Sequence, residues 1–207
     1  MGAFTQEGPL NPVLMVCLVV CMVACRGAVG YAPFLAESWV QIHLLGIGGV
    51  RKKIVSAAAF CVARQKLKAK LWFALAMDVV NEVKAQRSSI ALWHGLRPVA
   101  VDGTRLTLPR AKVLKKEFGT ASGGKWPQAT MTTLCDVRLR MPLSMTLGRG
   151  ASSERAGLAG IIGVLSPTDI LLGDRGFPST ELLRDLIDRR IHFVMRLAVG
   201  GSFAQVD

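Results

Sequence analysis

Two short apolar runs, each ending at an aspartate, constrain this chain more than any other feature. The later one is Ile170-Leu171-Leu172-Gly173-Asp174-Arg175-Gly176-Phe177-Pro178-Ser179. Ile170 to Leu172 read as a short buried strand, with Asp174 at its C-terminal end. Gly176 permits a tight turn, and Pro178 suits the first turn of a following helix. The earlier run is Pro98-Val99-Ala100-Val101-Asp102-Gly103-Thr104, again apolar residues followed by Asp and Gly. Burying a carboxylate without a partner costs several kcal/mol, so a strand-end aspartate usually has a task. Two of them on neighbouring strands would make half of a divalent-metal site. Asp-Gly is also a common turn pair, which is the plainer reading for Asp102 alone. The recurrence of the design favours the metal reading for both.

The pattern around these runs is one of short strands. Pro98–Asp102 is a strand, with Arg105–Leu108 as its antiparallel partner. Residues 111–124 are a polar, basic, Gly-rich excursion. Met131–Leu139 is a further strand and Leu143–Leu147 pairs with it. Glu154–Leu165 is helical, Ile170–Asp174 a strand, Pro178–Arg190 a helix and His192–Leu197 a strand. Mixed strands with helices packed on them make an α/β domain. The residues before it read as helical. Tyr31–Leu45 is one helix, broken by Gly46-Ile47-Gly48-Gly49. Ile54 to about Lys84 holds no Gly or Pro and is helical in one or two pieces. Gln86–Gly95 is a linker, so the chain divides into a helical region, 1–95, and an α/β domain, 96–207.

The formal net charge is +12 and the sequence pI about 10.1, which calls for an anionic partner. Nucleic acid and an acidic membrane surface both qualify. Arg64, Lys66, Lys68 and Lys70 interrupt an apolar helical pattern and could grip DNA phosphates, or form a solvated helix face. Lys112, Lys115, Lys116 and Lys125 suit a DNA-facing loop. Arg175 could meet a phosphate or pair with a site carboxylate. Trp126 could stack on an unpaired base, or simply pack. His43, His94 and His192 share no spacing with a nucleophile and read as structural. The five cysteines form no CxxC pair and no zinc spacing. They read as small buried hydrophobes in a reducing cytoplasm.

The strongest contrary signal is the uncharged stretch from Gly8 to Cys25. It falls short of the roughly 20 apolar residues a membrane span needs, and Pro9 and Pro12 shorten it further. A secretory signal would place basic residues before the apolar core, but only Glu7 precedes this one. A buried helix is the expectation. A small membrane-associated protein anchored by residues 8–25 is the alternative.

Taken in order, the motifs resemble those of DDE transposases of the insertion-sequence-4 type. Asp102-Gly103-Thr104-Arg105-Leu106 and Asp174-Arg175-Gly176-Phe177 are similar to that family's first two acidic motifs. Ala63-Arg64-Gln65-Lys66-Leu67, Trp126-Pro127-Gln128-Ala129 and Val194-Met195-Arg196 resemble three further pieces in the right order. The resemblance is strongest over about residues 92–198. It implies a helical N-terminal region followed by an incomplete RNase H-like mixed sheet with flanking helices. It implies DNA binding and metal-dependent strand cleavage and transfer, with Asp102 and Asp174 as catalytic residues holding Mg²⁺ or Mn²⁺. The implied partners are DNA, both transposon ends and target, and a second copy of the chain, but not a membrane. The family's third acid is a Glu within a Tyr-x2-Arg-x3-Glu-x6-Lys signature downstream of the second Asp. The only tyrosine here is Tyr31, so that signature is absent, and Glu154 and Glu181 lie outside any such pattern. The expectation is a C-terminally truncated transposase that is inactive alone, or else a non-enzymatic remnant that binds transposon ends.

Overall fold

The buried apolar residues fall into two separate clusters, one in each of two units, Met1–Ala76 and Met77–Asp207. The computed structural model describes residues 10–24, 30–46, 54–86, 92–120 and 124–197. In the first unit three helices meet: α1 (Pro12–Ala24), α2 (Tyr31–Leu44) and α3 (Ala57–Gln65). The Asn11 side chain accepts the Leu14 N–H at 2.8 Å and Ser56 accepts the Ala59 N–H at 3.2 Å. Both start a helix by satisfying an otherwise orphaned donor. Leu14, Met15 and Leu18, at helical spacing, pack against Phe34, Leu35, Trp39 and Ile42 of α2 and Phe60 of α3. The apolar stretch is thus a packed helix of 13 residues. No helix among the described residues is long and apolar enough to cross a membrane. Residues 8, 9 and 25 of the alternative anchor lie outside the described residues.

The helical stretch expected over 54–84 is two helices, α3 and α4 (Ala69–Gln86), with α4 running across the division between the units. Lys66 and Lys68 lie in the break. Arg64 therefore lies on α3 and Lys70 on α4, and the four cations do not share one helix.

The second unit is a mixed α/β sheet. Its elements are β1 (Arg97–Thr107), α5 (Lys112–Phe118), β2 (Gln128–Asp136), β3 (Met141–Arg149), α6 (Glu154–Ala159), β4 (Asp169–Gly173), α7 (Thr180–Asp188) and β5 (His192–Met195). Strand order is β3-β2-β1-β4-β5. The first three strands are antiparallel, and β4 and β5 run parallel to β1. The parallel pairs need helical crossovers, supplied by α6 and α7. Val99 and Val101 of β1, Leu134 of β2 and Leu171 of β4 join Leu158 of α6, Leu186 of α7 and Phe177 in one core.

Three local expectations fail. Asp102-Gly103 is not a turn, because β1 runs straight through it to Thr107. Arg105 and Leu106 therefore pair with Thr130 and Ala129 of β2 rather than folding back on β1. Residues 111–124 include helix α5. The helix begun at Glu154 ends at Ala159, and only a short 3-10 turn, Ile162–Val164, follows. In β1, pairing across the sheet overrides the local turn preference of Asp102-Gly103.

One ion pair sets the parallel register. Arg97 opens β1 and Asp169 opens β4, and the two are partners in the ladder. Arg97 donates from Nε to Oδ1 of Asp169 at 2.6 Å and from its terminal amino group to Oδ2 at 2.8 Å. Ser166 adds its backbone N–H at 2.8 Å and its hydroxyl at 3.0 Å, both to Oδ2. Asp169 is fully buried. Burial alone would raise its pKa. The Arg97 hydrogen bond and charge and the two Ser166 donors outweigh burial and hold the carboxyl below its usual range.

Arg97→Ala should lower the unfolding free energy by about 3–5 kcal/mol, because it leaves a buried carboxylate unpaired. Urea denaturation reads this directly. A depressed folded-state pKa contributes stability above the ordinary carboxylate range and loses it as pH falls through the folded value. The wild type should therefore lose stability on acidification below about pH 4, and Asp169→Asn should flatten that part of the profile. An unchanged acid limb in Asp169→Asn would refute the assignment.

Candidate metal and nucleic-acid site

The Arg97–Asp169 pairing carries forward along both strands. The ladder continues through Val99↔Leu171 to Ala100↔Leu172. Two residues further on in each strand come Asp102 and Asp174, which share the parity of Ala100 and Leu172. The two expected aspartates thus each stand two residues beyond the last pair of neighbouring parallel strands. Asp102 lies within β1, and Asp174 stands just past the end of β4.

Both carboxylates are exposed. Asp102 Oδ1 accepts the Gly103 N–H at 2.8 Å, and Asp174 Oδ1 accepts the Gly176 N–H at 2.9 Å. Neither is ion-paired among the described residues. The charge of Asp102 acts on Cys135 of β2: burial first, then this charge, pushes the Cys135 thiol up. Two hard oxygen donors with open positions suit Mg²⁺, which takes one or two protein carboxylates and fills its remaining sites with water and phosphate. Among the described residues no group of three or more His, Cys, Asp or Glu is gathered closely enough to hold a metal ion. Glu181, on the first turn of α7, is exposed. Its own backbone N–H and Ser179 hold its carboxyl below the usual range.

Helix α6 touches both acidic motifs, which the sequence did not reveal. Glu154 lies against Gly103, the residue after Asp102, and a Cβ there would overlap the Glu154 carboxyl group. Arg155 donates from Nε to the Gly176 carbonyl at 2.8 Å, tying down the loop that follows Asp174. That loop is anchored on its inner side by Phe177, which is fully buried. The helix can lie this close because Gly157 faces Thr132, where a side chain would collide. The sequence hint was Gly103 itself, read there as a turn residue.

The cations expected to meet DNA are distributed. Arg64 stacks over the Tyr31 ring, 5.4 Å from its centroid, and is half-buried. Lys66, Lys68 and Lys70 are exposed. Lys112, Lys115 and Lys116 are exposed on helix α5, where a loop was expected. Arg175 is exposed in the turn after β4. Trp126 is 52% exposed, so packing does not account for it. Its neighbour Pro127 is buried beside Thr120 at the entry to β2.

These features define a mixed-sheet α/β domain with a pair of strand-borne carboxylates. The Transposase DDE domain family model matches residues 93–202, and the chain belongs to that family. A solved structure, the piggyBac transposase synaptic complex with hairpin DNA, is similar at 12% identity with a TM-score of 0.40. The match covers 96% of this chain and 50% of that one, so the chain spans about half of the transposase it matches. No curated protein sequence matches the chain.

Gly103→Ala should push the Glu154 carboxyl aside and cost about 1–3 kcal/mol of stability. Glu154→Ala in the same chain should restore most of that loss. A double-mutant cycle in urea measures the coupling, and additive losses would place Glu154 elsewhere in solution.

Proposed function

We propose that this chain is a transposase of the insertion-sequence-4 type, acting on transposon ends and target DNA. Its chemistry would be hydrolysis of a strand at each transposon end and joining of the 3′-hydroxyl to the target. The observation that supports this reading is the parallel register of β1 and β4, two residues beyond whose last pair stand Asp102 and Asp174, within a match to the Transposase DDE domain. Asp102 and Asp174 are its catalytic and metal-binding residues. A divalent ion held there, Mg²⁺ or Mn²⁺, supplies charge neutralisation at the phosphate and activation of the attacking oxygen. The residues' own part is to present two oxygen donors on adjacent strands, with their loops fixed by Glu154 and Arg155.

In this reading residues 1–95 form a helical region that binds DNA and residues 96–207 the catalytic domain. Arg64, Lys66, Lys68, Lys70, Lys112, Lys115, Lys116 and Arg175 supply sequence-independent phosphate contacts, which govern affinity and make it salt-dependent. A second copy of the chain joins at paired ends, in the cytoplasm. The third acid of the family's signature is absent from these 207 residues. Acting alone they bind DNA and metal without cutting or joining strands.

Titration calorimetry with Mn²⁺ tests the centre. Weak binding should fall below detection in Asp102→Asn and in Asp174→Asn and survive in Glu181→Gln. Equal binding by all four proteins would remove the site. Purified protein with Mg²⁺ and a transposon-end duplex should retain the duplex without strand transfer. Robust strand transfer would overturn the missing-acid part of the proposal.

A further inference from the structure

A cleft of about 430 Å³ opens on the side of the sheet that α6 covers. Its floor is the cross-strand pair Arg105 and Thr130. Its walls are Ser152, Ser153, Glu154 and Arg155, and one end reaches the loop after Asp174 at Gly176. The donors exceed the acceptors. The Arg105 side chain has no hydrogen-bond or ion-pair partner among the described residues. Arg155 commits only its Nε to the Gly176 carbonyl, which leaves its terminal amino groups. Ser153 Oγ accepts the Ala156 N–H at 3.2 Å, which leaves its own O–H to donate. The one acid in the lining, Glu154, lies at the Gly103 end. Two guanidiniums against one carboxylate give the lining a net charge of +1, and the volume suits a nucleotide unit rather than a bare ion.

The geometry points to a phosphodiester subsite: this cleft seats a backbone phosphate of the DNA strand, with Arg105 as its principal ligand. The inference rests on the reading of the chain as a DNA-binding transposase and deepens it. It adds a subsite next to the paired aspartates, built from residues other than the exposed lysines. A planar guanidinium offers two parallel N–H donors to two phosphate oxygens. Glu154 opposes the phosphate, so the two residues act with opposite sign.

Fluorescence anisotropy of a labelled mixed-sequence duplex, across a salt series with the full chain, tests this. Arg105→Gln should weaken binding about ten-fold and lower the salt slope by about one unit. Arg184→Gln, on the exposed part of α7, removes the same charge and should leave the slope unchanged. Glu154→Gln should tighten binding. Arg105→Lys should keep the slope but lose part of the affinity, and it separates charge from a folding fault. Equal losses in Arg105→Gln and Arg184→Gln would overturn the subsite while DNA binding stands. No binding by wild type at low salt would overturn the functional reading and the subsite with it. Millimolar inorganic phosphate at matched ionic strength should not displace the duplex. Displacement to the Arg105→Gln level would assign the cleft to free phosphate and overturn the polynucleotide subsite.

Discussion

The buried pair between Arg97 and Asp169 is the constraint on which the second unit depends. A parallel pair of strands can slide, and a slip of one residue turns every side chain to the other face. Here the first residues of β1 and β4 are locked by two short hydrogen bonds, and Ser166 satisfies what remains of the carboxylate. Such a pair adds little net stability over an apolar one, but breaking it is costly, so it serves specificity. The specificity has a use, since the fifth residue beyond each partner is an aspartate.

The other constraint comes from α6. Only six residues long, it could not form alone and exists because Leu158 is fully buried in the sheet's core. From that anchor it reaches Gly103 through Glu154 and the Gly176 loop through Arg155. The two acidic motifs, some 70 residues apart in sequence, therefore share one short brace. The same brace forms a wall of the Arg105 cleft, so the fixing of the aspartates and the positive subsite have a common origin.

Much of the architecture was legible in single residues. The apolar runs Pro98–Val101 and Ile170–Leu172 marked two strands. Pro178, suited to the start of a helix, marked α7 to within two residues. The uncharged apolar stretch up to Cys25 marked a packed helix. What misled was local chemistry at positions where a long-range contact dominates. Gly103 looked like the second half of a turn and is instead a strand residue with room left for Glu154. Residues 66–68 are the break between the two pieces that the helical stretch allowed, though the sequence did not place it. Lys112 to Phe118, without an apolar stripe, gave no helical signal, and no buried residue lies within it.

The sequence by itself determined which residues are apolar and at what period, and hence a helical region, an α/β domain and two apolar runs each followed by an aspartate. It also determined the charge, and the order of motifs that marks the family. Only the tertiary structure decided that the strands carrying Asp102 and Asp174 pair in parallel, that Glu154 and Arg155 brace the two motifs, and that Arg105 faces a cleft. The reason is physical. Periodicity and turn preference act over a few residues and are written locally. Register and cleft lining depend on contacts between residues far apart in the chain, such as Arg97 with Asp169, and neither partner's neighbours encode the other.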